Sequence, residues 1–227
     1  IGNAGVVTAT AFVGNITGNV TGNINHASNL ELQTGGVTRA SIDSSGRVLI
    51  GTTTEGASSA DTLTIAESGN SGITIRSGTS NGGHIYFSDG TSGAAEYKGI
   101  IVYNQASDFM GFWTNGDSEK LRIDSSGRLL IGATSSQSVG GGAALTQIQS
   151  VSSTGRLTVT QHRNEAGGSP YIVLGKSRGT SLGAVTVLQS GDEIGTLAWA
   201  GADGGDMEST AARIYAAVDA TPGSNDM

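Results

Sequence analysis

The chain has 227 residues, of which 37 are Gly, 28 Ser and 25 Thr, with 14% charged residues and a net charge of −7. So little charge excludes a chain held open by self-repulsion, and the acidic balance excludes a phosphate-binding groove, which needs clustered Lys and Arg. The abundant Ile, Val and Thr are β-branched and favour pleated strands, so the predicted fold class is all-β.

Large apolar side chains are few, and buried apolar area is the main favourable term in folding. A core this thin needs a disulfide, a metal or a partner chain. There is no Cys, which removes disulfides and thiolate zinc sites. The three histidines, His26, His84 and His162, are too scattered for a metal cage and read as solvated or interface side chains. No cofactor is expected. A partner chain remains, and an obligate oligomer is predicted. No apolar run approaches the roughly 20 residues of a membrane span, and no basic-then-apolar leader opens the chain. A start at Ile1 is expected of a piece of something longer.

Residues 1–29 carry a four-residue x-T-G-N period that sets Ile16, Val20 and Ile24 in step. One chain cannot bury one aliphatic residue in four, whereas three chains around an axis can, so this segment is predicted to be an interwound thread. The sequons at Asn15 and Asn19 arise from the same period. Residues 30–56 hold the first copy of a repeat, IDSSGRVLIGTT at 42–53, which returns as IDSSGRLLIGAT at 123–134. Fainter matches pair SGITI with TGRLTV, HIYF with YIVL, and the GTS at Gly90 with that at Gly179. Two tandem β-modules are predicted, 57–134 and 135–227, built as meanders or sandwich-like sheets.

Each IDSSGR reads as a tight turn. Asp43 and Asp124 accept from the backbone two residues on, and Gly46 and Gly127 supply the left-handed conformation that closes the turn. The incoming strand is expected to point Lys120 and Arg122 out and Leu121 and Ile123 in. The outgoing Leu129, Leu130 and Ile131 are predicted to be covered on both faces. Asn115-Gly116 signals a two-residue hairpin, making 100–131 a four-stranded meander.

Other motifs carry weaker chemistry. G-x-S-x-G occurs around Ser80 and Ser181, yet no helical pattern follows either serine, as a hydrolase elbow requires. Asp203 and Asp206 lack the further ligands of a calcium loop. Those two residues, or Asp192 and Glu193, as a glycosidase acid pair have nothing in the sequence to set their separation. Tyr97, Tyr103, Phe109, Phe112, Trp113 and Trp199 form an aromatic set suited either to stacking on sugars or to packing at an interface. Packing is favoured because the position repeats in both modules.

The run GVVTATAFVGNITGNVTGN at 5–23, the two IDSSGR hairpins, and SGITIRSGTSNGGHIYFSDGTSG at 71–93 resemble tail-fibre proteins of tailed bacteriophages, especially those of marine cyanobacteria. The resemblance covers most of the chain. It implies an elongated homotrimeric fibre of the virion tail that attaches to a host-surface glycan or protein and joins other tail proteins, with no nucleic-acid partner, no membrane insertion and no catalytic residue. A module like the second closes in that family with another such hairpin, and here the chain stops at ATPGSNDM, so further parts are expected beyond Met227. The rival expectations are a glycan depolymerase on a trimeric tailspike and a bacterial trimeric surface adhesin.

Overall fold

A computed structural model describes residues 28–164 and 166–223. The described chain is all-β, with twelve strands and one short 3₁₀ turn. The described residues divide into two compact units, with the boundary between Thr74 and Ile75. The thread expected over 1–29 falls outside the described residues up to residue 27.

In the first unit, β1 (Leu30–Thr34), β2 (Val37–Ile42), β3 (Val48–Ile50) and β4 (Leu63–Ile65) lie in that order in one sheet. The first three are antiparallel, and β4 pairs parallel to β3. A parallel neighbour requires a long crossover, which residues 51–62 supply. In the second unit, β5 (Gly82–Phe87), β6 (Gly99–Asn104), β7 (Phe109–Thr114), β8 (Glu119–Ile123) and β9 (Leu129–Ile131) form an antiparallel meander, and β10 (Thr146–Ile148) adds in parallel to β9. Ribbon β11 (Glu193–Ala200) and β12 (Thr210–Ala217) pairs separately.

The four strands β1–β4 correspond to β7–β10, a repeat longer than the twelve residues legible in the sequence. Both copies place a β-bulge at the same point, with Arg39 of β2 the extra residue opposite Leu32–Gln33 and Lys120 of β8 the extra residue opposite Phe112–Trp113. Both sheets run past the expected module edges at 56/57 and 134/135, because β4 and β10 each belong to the hairpin upstream. The Asn115-Gly116 turn has positive φ at both residues, 61° and 84°. It opens into a longer loop than expected, since the bulge leaves Trp113 opposite Glu119. His84 to Phe87 lie in β5, whereas Tyr171 to Leu174, expected to match them, lie in no ladder.

Ladder partners share a face and alternate residues change face. One face of the first sheet therefore carries two apolar rows, Leu30–Ile42–Val48–Leu63 and Leu32–Ala40–Ile50–Ile65. The second sheet repeats them as Met110–Ile123–Leu129–Thr146 and Phe112–Leu121–Ile131–Ile148. The latter row continues through Ile101 and Ile85 to span all six strands. The opposite faces centre on Leu49 and Leu130, 2% and 0% exposed. Each is covered by its own crossover: the Gly56 N–H donates to Thr64 Oγ1 at 3.0 Å, and the Gln137 N–H donates to Gln147 Oε1 at 3.0 Å. Thr64 and Gln147 stand beside Leu49 and Leu130 in register. The expected meander is present, but no second layer of described residues closes the apolar rows into a sandwich.

The glycine that ends each repeat explains how the parallel strand comes so close. The Gly51 N–H donates to the Arg39 carbonyl and the Gly132 N–H to the Lys120 carbonyl, at 2.9 and 3.0 Å. Both accepting residues are the extra residues of the bulges. A β-carbon on Gly51 would overlap the Ala66 carbonyl oxygen, and one on Gly132 the Gln149 carbonyl oxygen. Both glycines also have positive φ, 73° and 78°. Gly132→Ala is expected to cost at least about 2 kcal/mol through strain and backbone collision. Gly127→Ala, where the same φ strain meets open space, should cost about 1 kcal/mol. Thermal melts of the two variants measure the difference, and equal losses would show that the carbonyl contact carries no weight.

Candidate functional site

The repeated turns are the most closely matched chemistry in the chain. Asp43 Oδ1 accepts the N–H groups of Ser45 and Arg47 at 2.9 and 3.0 Å, and its Oδ2 pairs with Arg47 Nε at 2.7 Å. Asp124 does the same with Ser126, Arg128 and Arg128 Nε at 2.9, 3.0 and 2.8 Å. Gly46 and Gly127 close the turns with φ of 82° and 75°. The Arg47 and Arg128 N–H groups are the chief reason that both carboxyls stay below the ordinary carboxylate range. Arg47 also reaches Asp61 at 3.1 Å in the crossover, so this turn fastens the chain that covers Leu49. The sequence reading missed the arginines, although each stands at the same place in both copies.

The aromatic residues do not form one patch. Phe109 and Trp113 fold over Gly111 on the crossover-covered face, their rings 6.4 Å apart. The Arg122 guanidinium stacks on Phe109 at 3.9 Å and is held by Glu119 through two bonds of 2.5 and 2.6 Å. Arg122 was expected to face outward with Ile123 inward. The covered face is the one that Arg122 shares with Leu130, and the bulge turns Glu119 onto it so that the ion pair closes there, while Ile123 is 45% exposed on the other. Phe112 and Tyr103 lie on the apolar face, and the Tyr103 hydroxyl donates to Asp108 at 3.3 Å. Tyr97, in the 3₁₀ turn at Gly93–Tyr97, packs near Tyr86, which in turn sits beside His84. Trp199 stands apart on β11, half exposed beside Leu197 on one face of the ribbon.

The acidic residues are committed to the backbone or to cations. Asp203 Oδ1 accepts the N–H groups of Gly205 and Asp206, and Asp206 Oδ1 that of Glu208. Glu193 pairs with Arg213 at 3.1 Å. Asp192, nearly buried, takes Arg178 Nε at 2.6 Å, the Gln189 N–H at 2.8 Å and Lys176 Nζ at 3.1 Å. Arg178 foremost, then the Gln189 N–H, holds the Asp192 carboxyl far below its usual range. Ser80 and Ser181 sit in turns closed by Asn81 to Gly78 and Ala184 to Ser181, and each leads into straight chain. Among the described residues no three His, Cys, Asp or Glu side chains gather as a metal-binding group.

What the geometry offers a partner is the pair of apolar faces. Leu32, Ile42 and Leu63 in the first sheet, and Ile85, Met110, Ile123 and Ile148 in the second, stand 40% exposed or more. They are continuous in register, unlike the isolated exposed apolar residues of an ordinary surface. Compared with known proteins, the chain matches no protein-family model and no curated sequence.

Asp43, Asp124, Asp192 and Asp203 all have lowered folded-state pKa values. Their stabilisation is therefore complete above the unfolded carboxylate range, near pH 4, and is lost as pH falls through the folded values. The melting temperature should hold from pH 7 to 5 and drop below pH 4. Asp192→Asn should lower it at pH 7 and flatten the acid limb, and an unchanged limb would remove Asp192 from the account.

Proposed function

We propose that this chain is a structural and adhesion component of a phage tail fibre, assembled as a homotrimer and located in the virion tail. The apolar rows carry the reading: an unbroken line from Ile85 to Ile148 crosses six strands, and both of its ends stand 40% exposed or more. The resemblance of the IDSSGR hairpins to tail fibres makes the partners further copies of the chain.

Attachment in this reading is multivalent. Several fibres, each with three copies of the same surface, turn weak contacts with a host-surface glycan or protein into firm binding through effective concentration. The chain's own part is passive: sheets stiffened by turns and ion pairs, and faces that hold copies together.

Light scattering with a hydrodynamic radius on the same sample tests the proposal. A mass three times 22.7 kDa with an extended radius is expected, and a compact monomer would end the fibre reading. The double variant Ile42→Glu, Ile123→Glu places a charge on each apolar face at half-exposed positions, where a single chain tolerates it. It should drop to the mass of one chain while its circular dichroism stays β, and a variant that remains assembled would show that these rows are not the contact.

A further inference from the structure

Residues 156–189 contain three runs with the composition of strands, RLTVTQHR at 156–163, YIVLGKSR at 171–178 and AVTVLQ at 184–189. Each runs without a turn or bend, yet none belongs to a ladder. Among the described residues, no backbone-to-backbone hydrogen bond joins 157–162 or 171–175 to another segment. Val173 is 81% and Val185 97% exposed.

The second and third runs are nevertheless held in place. Leu174 lies so close over Gly195 of β11 that a β-carbon there would meet it at 2.5 Å. Two and four residues on, Lys176 and Arg178 both reach Asp192. The Ser177 hydroxyl accepts the Thr186 N–H at 2.9 Å, and the Arg178 N–H donates to the Thr186 carbonyl at 3.3 Å. Alternation then turns Tyr171 and Val173 away from β11. The result is a braced strand whose outer side chains and lateral N–H and C=O groups face solvent, a ready template for another strand.

We infer that residues 156–189 form their sheets across chains, with the same residues of neighbouring copies as strand partners, while β1–β4 and β5–β10 are completed within one chain and meet copies only through side-chain faces. The inference rests on the assembly proposed above and locates its interlocked part. A second copy is the fitting occupant because the need is constitutive. Unpaired strand edges beside exposed Val, Ile and Tyr require a partner from the moment of folding. A stoichiometric copy made alongside meets that need, and the charges of the middle run, Lys176 and Arg178, are already taken up by Asp192 of the same chain.

Hydrogen exchange read by mass spectrometry, with light scattering on the same sample, tests it. In the assembled protein, amides of 157–162 and 171–175 should exchange as slowly as those of β6 and β7, at least about a thousandfold below free-chain rates. In the dissociated Ile42→Glu, Ile123→Glu variant they should exchange at near free-chain rates, with β6 and β7 still protected. Fast exchange in an assembled protein overturns the inference and leaves the assembly standing. Slow exchange that persists in the single-chain variant also overturns it, because the partner then lies within the chain. A single-chain mass for the unaltered protein overturns the assembly and the inference together.

Discussion

A chain with so few large side chains can cover a sheet on one face only, and the rest of the structure follows from that limit. In both repeats the crossover to the parallel strand is laid over the face centred on Leu49 or Leu130 and fastened to Thr64 or Gln147. What remains is the face of apolar rows, which described residues touch only at its margins, Ile75 over Gly83 of β5 and Ser71 to Ile73 beside Leu63 and Ile65 of β4. Sheets exposed on one side are ordinary when that side is polar. Here it is aliphatic across every strand, so the fold carries a built-in need for something apolar on its far side.

The same limit explains the polar chemistry. Without a deep core, order has to come from local devices that bind the chain to itself over short spans. Each Asp of the repeated turn accepts two backbone N–H groups and an arginine, so the turn is set by five consecutive residues with little help from elsewhere. The Glu119–Arg122 pair and the Asp192 cluster work alike, joining neighbouring segments by charge-assisted bonds. Such devices fix geometry, whereas their net contribution to stability is modest at exposed positions. Rigidity of the hairpins and cohesion of the assembly are thus supplied by different residues on different faces.

How much of this was legible in the sequence depends on which interactions carry a residue-specific signature. The turns were readable because only an Asx residue and a glycine make that geometry, so Asp43, Gly46, Asp124 and Gly127 stand out by type and spacing. The all-β class was readable from β-branched content. The larger repeat was not, because β1 and β7 share almost no residues: apart from Thr34 and Thr114, LELQT and FMGFWT agree only in apolar side chains at Leu30 and Met110 and at Leu32 and Phe112. Such rows ask for hydrophobicity and register, not identity, and drift freely. The bulges were hidden for a related reason. An extra residue in a strand looks like any other, and the single bulge in β8 sufficed to bring Glu119 to Arg122, whereas plain alternation along β7 set Phe109 and Trp113 on one face and Phe112 on the other.

Gly51 and Gly132 connect these levels. The glycine must lack a side chain because the carbonyl of the parallel strand occupies that space, and its N–H must reach back to the bulge residue of β2 or β8. One position therefore joins the bulge, the hairpin and the crossover strand, which is why it survives in both copies while the rows around it vary. The tolerance of those rows has a physical consequence for assembly. A face that accepts any aliphatic residue packs without fine complementarity, and specificity of association must then come from elsewhere. Backbone pairing between strands offers such a source, since a ladder formed out of register loses its side-chain alternation at once, whereas an aliphatic face displaced by a few ångströms loses little.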